Sequence, residues 1–135
     1  MGEQNVDVVS RWAEAIRRGD LAEELWDANL EIVNAEGWAI EATYRGHDGL
    51  RRWWSDLEEA FSDFAMEVEE IAPLDEARFL TVQRFVGHFR ATGIPFDEPW
   101  ASVITVRAGR IVNAVGYLTK GRALRAFESG PGNIE

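Results

Sequence analysis

His88 and Arg84 are the side chains best suited to chemistry in this sequence of 135 residues. They stand four residues apart in a run, 77–91, that is rich in β-branched and aromatic types. Such a run reads as a strand, on which the two share one face about 13 Å apart. An imidazole titrates near neutrality and can act as general acid or base. A guanidinium can polarise a carbonyl or epoxide oxygen, or hold a carboxylate in a charge-assisted pair. Each also has a structural use: Arg84 in an ion pair with a carboxylate such as Glu31 or Glu41, His88 as a hydrogen-bonded strand residue. His47 reads as a capping or packing residue at a helix start, with Tyr44 packed beside it, and Asp97 and Glu98 as solvated. With two histidines and no cysteine, an all-His zinc site, thiolate ligands, disulfides and a Cys nucleophile are all excluded. No cluster of ligating types points to a metal, and no cofactor is expected.

Composition narrows the partners. The chain is 46% hydrophobic and 28% charged, ordinary for a globular protein. Fourteen Lys and Arg against 24 Asp and Glu give a net charge of −10, which repels nucleic acid and anionic membranes. No apolar run approaches the roughly 20 residues of a membrane span, and the start, Met1-Gly2-Glu3-Gln4-Asn5, is unlike a signal peptide. A soluble, cytoplasmic protein is expected, with one domain over 1–128 and a flexible tail over 129–135.

The elements that must position these groups are legible as follows. Val9, Trp12, Ala13 and Ile16 form an apolar helical stripe, closed by Gly19. Asp20 and Glu23 read as the capping box of a second short helix burying Leu21, Leu25 and Trp26. Leu50, Trp53, Trp54, Leu57 and Phe61 line a third. Strands are expected at 30–34, 64–72, 77–91, 100–107 and 110–118, with a tight hairpin at Ala108-Gly109 and a last helix from Thr119. Helices followed by long hairpins imply an α+β fold. Strands of that length must twist and curl, with the helices filling the concave side.

In that order, the segments Asn5 to Trp26, Tyr44-Arg45-Gly46-His47-Asp48-Gly49 before a Trp-rich helix, and Val106 to Val112 with its Gly109 turn resemble the nuclear-transport-factor-2-like superfamily. Within it they resemble the SnoaL-like group, over nearly the whole chain. The resemblance implies a cone, a mixed, largely antiparallel sheet curled around the N-terminal helices and an apolar pocket, usually in a homodimer, in a family of steroid isomerases, polyketide cyclases and epoxide hydrolases. It also implies where catalytic groups would stand. The isomerases' tyrosine, general-base aspartate and second acid match Trp12, Asn34 and Ser102. The epoxide hydrolases' asparagine and arginine match Asn34 and Arg84, but their two aspartates fall at Val86 and Gly116, and the cyclases' acid near Gly116. None of these mechanisms keeps its proton-handling acid.

Within the implied pocket, strand alternation turns Leu80, Val82, Arg84, Val86 and His88 inward, with Trp100, Ser102, Ile104 and Val106, then Val112, Ala114, Gly116 and Leu118. Leu30, Ile32 and Asn34 join them, and Trp12, Trp54 and Trp100 are the expected walls. Phe79, Thr81, Gln83, Phe85 and Phe89 then form an outer apolar face, as do Val103, Thr105, Val115 and Tyr117, to be covered by a second copy. Three readings remain open. The first is binding of a small, mainly apolar molecule carrying a carboxylate or carbonyl. The second is an isomerase, cyclase or hydrolase using His88 as acid/base with Arg84. The third is a dimerisation module whose cone is filled.

Overall fold

In the computed structural model, which describes residues 2–34 and 43–129, helix α1 (Gly2–Arg17) buries Val8, Val9, Trp12, Ala15 and Ile16 along one side. It ends in a Schellman turn: Gly19, at φ 78°, donates to the Ile16 carbonyl and Asp20 to that of Ala15. The expected second helix shrinks to one 3₁₀ turn, Glu23–Leu25. Asp20 bonds the Ala22 amide at 2.9 Å, and Ala22 itself turns left-handed at φ 53°, so no capping box forms.

Trp26 instead opens strand β1 (Trp26–Asn34), longer than read from the sequence. Strand β2 (Thr43–Arg45) has too little pattern to be seen in advance, and helix α2 (Gly46–Ala60) follows it. Strands β3 (Phe61–Pro73), β4 (Arg78–Phe89), β5 (Pro95–Arg107) and β6 (Arg110–Tyr117) run as hairpins, the last turning on Ala108 and Gly109, both at positive φ. Helix α3 (Lys120–Ser129) closes the described chain and takes in Ser129, the first residue of the tail expected over 129–135, while residues 130–135 lie outside the described residues. Glu41 also lies outside them.

The sheet order is β2-β1-β6-β5-β4-β3. Among the described strands, only β1 and β6 pair in parallel. Register shifts in β3 between Ser62 and Ala65 and between Val68 and Glu70, with Asp63 at φ 54°, bend this mixed sheet into an open cone. Helices α1 and α2 fill its concave side, while α3 packs across β4, β5 and β6 on the convex side, with Ala123 against Leu80, Ala101 and Val103.

Strand β4 faces the other way from the expectation. Phe79, Thr81, Gln83 and Phe85 are the buried inner set, and Arg84 and His88 are exposed on the outside with Val82 and Val86 beside them. Both sets carry apolar residues, so alternation alone does not choose between them. The choice falls to bulk: Phe85 stacks on Phe64 and meets Phe61, Phe96 and Trp100, which buries more surface than Val86 offers. Val112 is likewise displaced, because the register shifts between Thr105 and Val106, setting Ile111 in the core. Leu118 is exposed.

Candidate ligand cavity

A cavity of about 30 Å³ sits in the cone. Trp12 enters it from the buried stripe of α1, and Trp53 from that of α2. Trp54, expected there, is turned aside by the 100° step of the helix and packs against Trp53 and Phe64. Strand β1 supplies Trp26, Ile32 and Asn34; Met66 comes from β3 and Gln83 from β4. Trp100, Ser102 and Ile104 line it from β5, Ala114 and Gly116 from β6.

Of the expected pocket residues, Trp12, Asn34, Trp100, Ser102 and Gly116 are therefore brought together. Trp54, Arg84 and His88 are not. Trp26, Trp53, Met66 and Gln83 were not expected as walls; for Gln83 the signal lay in its alternation with Phe79, Thr81 and Phe85.

The polar inventory of this cavity is weighted toward donors, with the Asn34 carboxamide as the acceptor-bearing group on its wall. The indole N–H groups of Trp12, Trp26 and Trp53 are buried and have no hydrogen-bond partner among the described residues. Such donors are costly to leave unmet. Thr81, Gln83 and Ser102, all buried, bond to one another: Thr81 Oγ1 donates to Gln83 Oε1 at 2.8 Å, and its contact with Ser102 Oγ is 2.6 Å. Among the described residues, no ionisable side chain lines the cavity. It can donate hydrogen bonds to an acceptor, and none of its side chains exchanges protons near neutral pH. Among the described residues there is no group of three or more His, Cys, Asp or Glu fit to hold a metal.

Arg84 is engaged elsewhere. Its guanidinium grips Asp97 in a bidentate pair, Nε–Oδ1 2.9 Å and Nη2–Oδ2 2.8 Å, with both side chains about half exposed (54% and 52%). That hydrogen bond holds the Asp97 carboxyl below the usual carboxylate range. The arginine matched to the epoxide hydrolases' own is thus on the wrong face of its strand. His88 is exposed, opposite Ser62 on one neighbouring strand and Pro95 on the other. His47 has the structural role expected of it, its Nε2 lying 3.0 Å from the Trp26 carbonyl. Tyr44, fully buried, donates to Asp56 at 2.6 Å. A wider groove of about 970 Å³ on the outside of β1 and β6 is open and of mixed character, with Arg45 paired to Glu31 at its edge.

The sequence profile described as the SnoaL-like domain matches residues 9–114. No curated protein matches the sequence. Among solved structures, an NTF2-like protein from Burkholderia thailandensis is 22% identical with a TM-score of 0.78, over 91% of this chain and 96% of its own. TerC, co-crystallised with polyporic acid, is 14% identical at 0.74, over 93% and 98%. A protein of ketosteroid isomerase-like fold from Catenulispora acidiphila, in complex with trimethylamine, is 20% identical at 0.68, over 95% and 96%. No helix among the described residues is long and apolar enough to cross a membrane.

Proposed function

The chain belongs to the SnoaL-like domain family, and on that premise we propose that it binds a small, mainly apolar molecule inside the cone without acid–base chemistry of its own. The observation that carries this reading is the trio of buried indole N–H groups around an apolar cavity. Pure packing would have no reason to leave three donors unmet in one place. The fold does not choose the ligand: one similar structure holds polyporic acid and another trimethylamine. The choice rests with the side chains.

The sequence-based preference for an acid rested on Arg84, and the acid/base role on His88; with both outside, neither argument has a geometry behind it. Pairing of two copies and a cytoplasmic site, in keeping with an acidic chain without cysteine, belong to the same reading.

A second reading, a structural module with a filled cone, is favoured by volume. About 30 Å³ has room for one or two water molecules, so any larger guest must push side chains aside. Met66, with three rotatable bonds, is the wall best able to yield.

Indole N–H resonances of the 15N-labelled protein distinguish the two. Titration with acetone or benzene should move the signals of Trp12, Trp26 and Trp53 together. A folded protein whose indole signals ignore both leaves only the filled cone.

A further inference from the structure

Resting on the cavity reading, we propose that Gln83 selects the ligand: it is locked with an amide N–H facing the cavity, and the site takes a neutral hydrogen-bond acceptor such as a ketone, lactone or ether. The lock is the ring formed with Thr81 and Ser102. Thr81 has one hydroxyl hydrogen, and it goes to Gln83 Oε1 at 2.8 Å. The 2.6 Å contact between the two hydroxyls must then be donated by Ser102. With its own hydrogen committed, Ser102 can only accept from Gln83, whose Nε2 lies 3.4 Å away. The ring closes, and one hydrogen is left undonated: the second amide hydrogen of Gln83. Gln83 and Ser102 line the cavity, while all three members are buried from water.

That hydrogen joins the indole N–H groups of Trp12, Trp26 and Trp53. The wall is thus rich in donors and, among the described residues, holds no charge. A carboxylate would leave water for neutral donors alone, inside a chain of net charge −10. An ammonium would find no carboxylate among the described lining residues. An alcohol could accept these bonds but would bring a hydrogen of its own, which would have to reach the Asn34 carboxamide rather than the donors. A carbonyl or ether oxygen meets the donors and adds none. The ring makes the preference rigid, because an amide free to turn would offer its oxygen instead.

The test uses the full chain and four small probes of similar size: acetone, 2-propanol, isopropylammonium and acetate, each followed by the indole and Gln83 side-chain amide signals. Acetone should bind about three- to tenfold more tightly than 2-propanol, the usual worth of one matched hydrogen bond, and more tightly than either ion. Thr81→Val opens the ring and should bring the acetone-to-2-propanol ratio toward one, as should Gln83→Met. A merely structural role for Gln83 would weaken both probes alike. In the unaltered protein, the Thr81 hydroxyl hydrogen and one Gln83 amide hydrogen should exchange slowly with water, so the ring is checked even if a variant fails to fold. Equal affinities for acetone and 2-propanol, tighter binding of isopropylammonium or acetate, or a Gln83 oxygen facing the cavity overturns the selection while leaving the cavity reading intact. Silence of every indole toward every probe overturns both.

Discussion

Gly116 and Trp100 occupy each other's space: a Cβ built on Gly116 would lie 2.9 Å from Cζ2 of Trp100 and 3.4 Å from its Nε1. The strand position at which the resemblance puts an acid in cyclases and epoxide hydrolases is therefore taken up here by an indole from the neighbouring strand. Trp100 is in turn held edge-on by Phe85, with ring centroids 6.4 Å apart.

Gly116→Ala should accordingly destabilise the protein by about 1–3 kcal/mol, the usual cost of forcing atoms into a packed core. Thermal unfolding followed by circular dichroism would show a fall of several degrees. Adding Trp100→Phe should recover part of the loss, because the crowding and the indole belong to one contact. An unaltered melting point for Gly116→Ala would mean that Trp100 moves away freely.

Trp53→Phe removes a buried donor that has no partner. Relief of that penalty, about 1–3 kcal/mol, should offset most of the packing lost with the smaller ring. The net change in unfolding free energy should stay under about 1 kcal/mol, measured by denaturant titration. A loss above about 3 kcal/mol would show that the N–H is satisfied, most simply by a trapped water.

Much of this was legible in the sequence, for reasons that differ by element. The stripe on α1 and the Leu50–Leu57 face of α2 are helix-period patterns, so both helices and the inward Trp12 follow from periodicity, whereas the adjacent Trp53 and Trp54 both fit the α2 face and the structure seats Trp53, not Trp54, in the cavity. On β5, Trp100, Ser102 and Ile104 were placed inward correctly. Strand β4 was not, because Leu80, Val82 and Val86 are as apolar as Phe79 and Phe85, and a one-residue choice of phase moves every side chain to the other face. What settles it, the stacking of Phe85 on Phe64 across the β3 bulge, is a contact between distant residues that no local pattern contains. The error carried Arg84 and His88 into the cavity and kept Gln83 out of it.

Arg84→Met and His88→Ala should leave probe-induced shifts of the cavity indoles unchanged, since neither side chain lines the cavity. An effect on those shifts matching that of Gln83→Met would place one of them inside.

Two copies should associate through the convex face, giving twice the 15.2 kDa chain mass in sedimentation. With Phe85 fully buried in the cone, Phe85→Glu should unfold the protein rather than divide a dimer. The strip left beside α3 is carried by Val33 and Val115, adjacent across β1 and β6. Val115→Glu should shift the population to monomer with the fold retained. A single 15.2 kDa species in the unaltered protein would remove the dimer.

Acid should loosen the turn between β3 and β4 before the core. Burial alone would raise the Asp75 carboxyl, but the Arg78 guanidinium and the amides of Ala77 and Arg78 donate to it at 2.8–3.0 Å and hold it below the usual carboxylate range. A carboxyl depressed by folding stabilises fully above its ordinary value near 4 and stops doing so as pH falls through its folded value. Wild-type stability should thus decline with a component below about pH 4 that Asp75→Asn, already weaker at neutral pH, lacks. The guanidinium that Asp75 orients lies 4.5 Å over the ring of Phe127 in α3. Signals of α3 should therefore respond to the same titration in the unaltered protein and not in Asp75→Asn. Parallel stability curves for the two proteins between pH 6 and about pH 3 would show that the Asp75 charge does not support the fold.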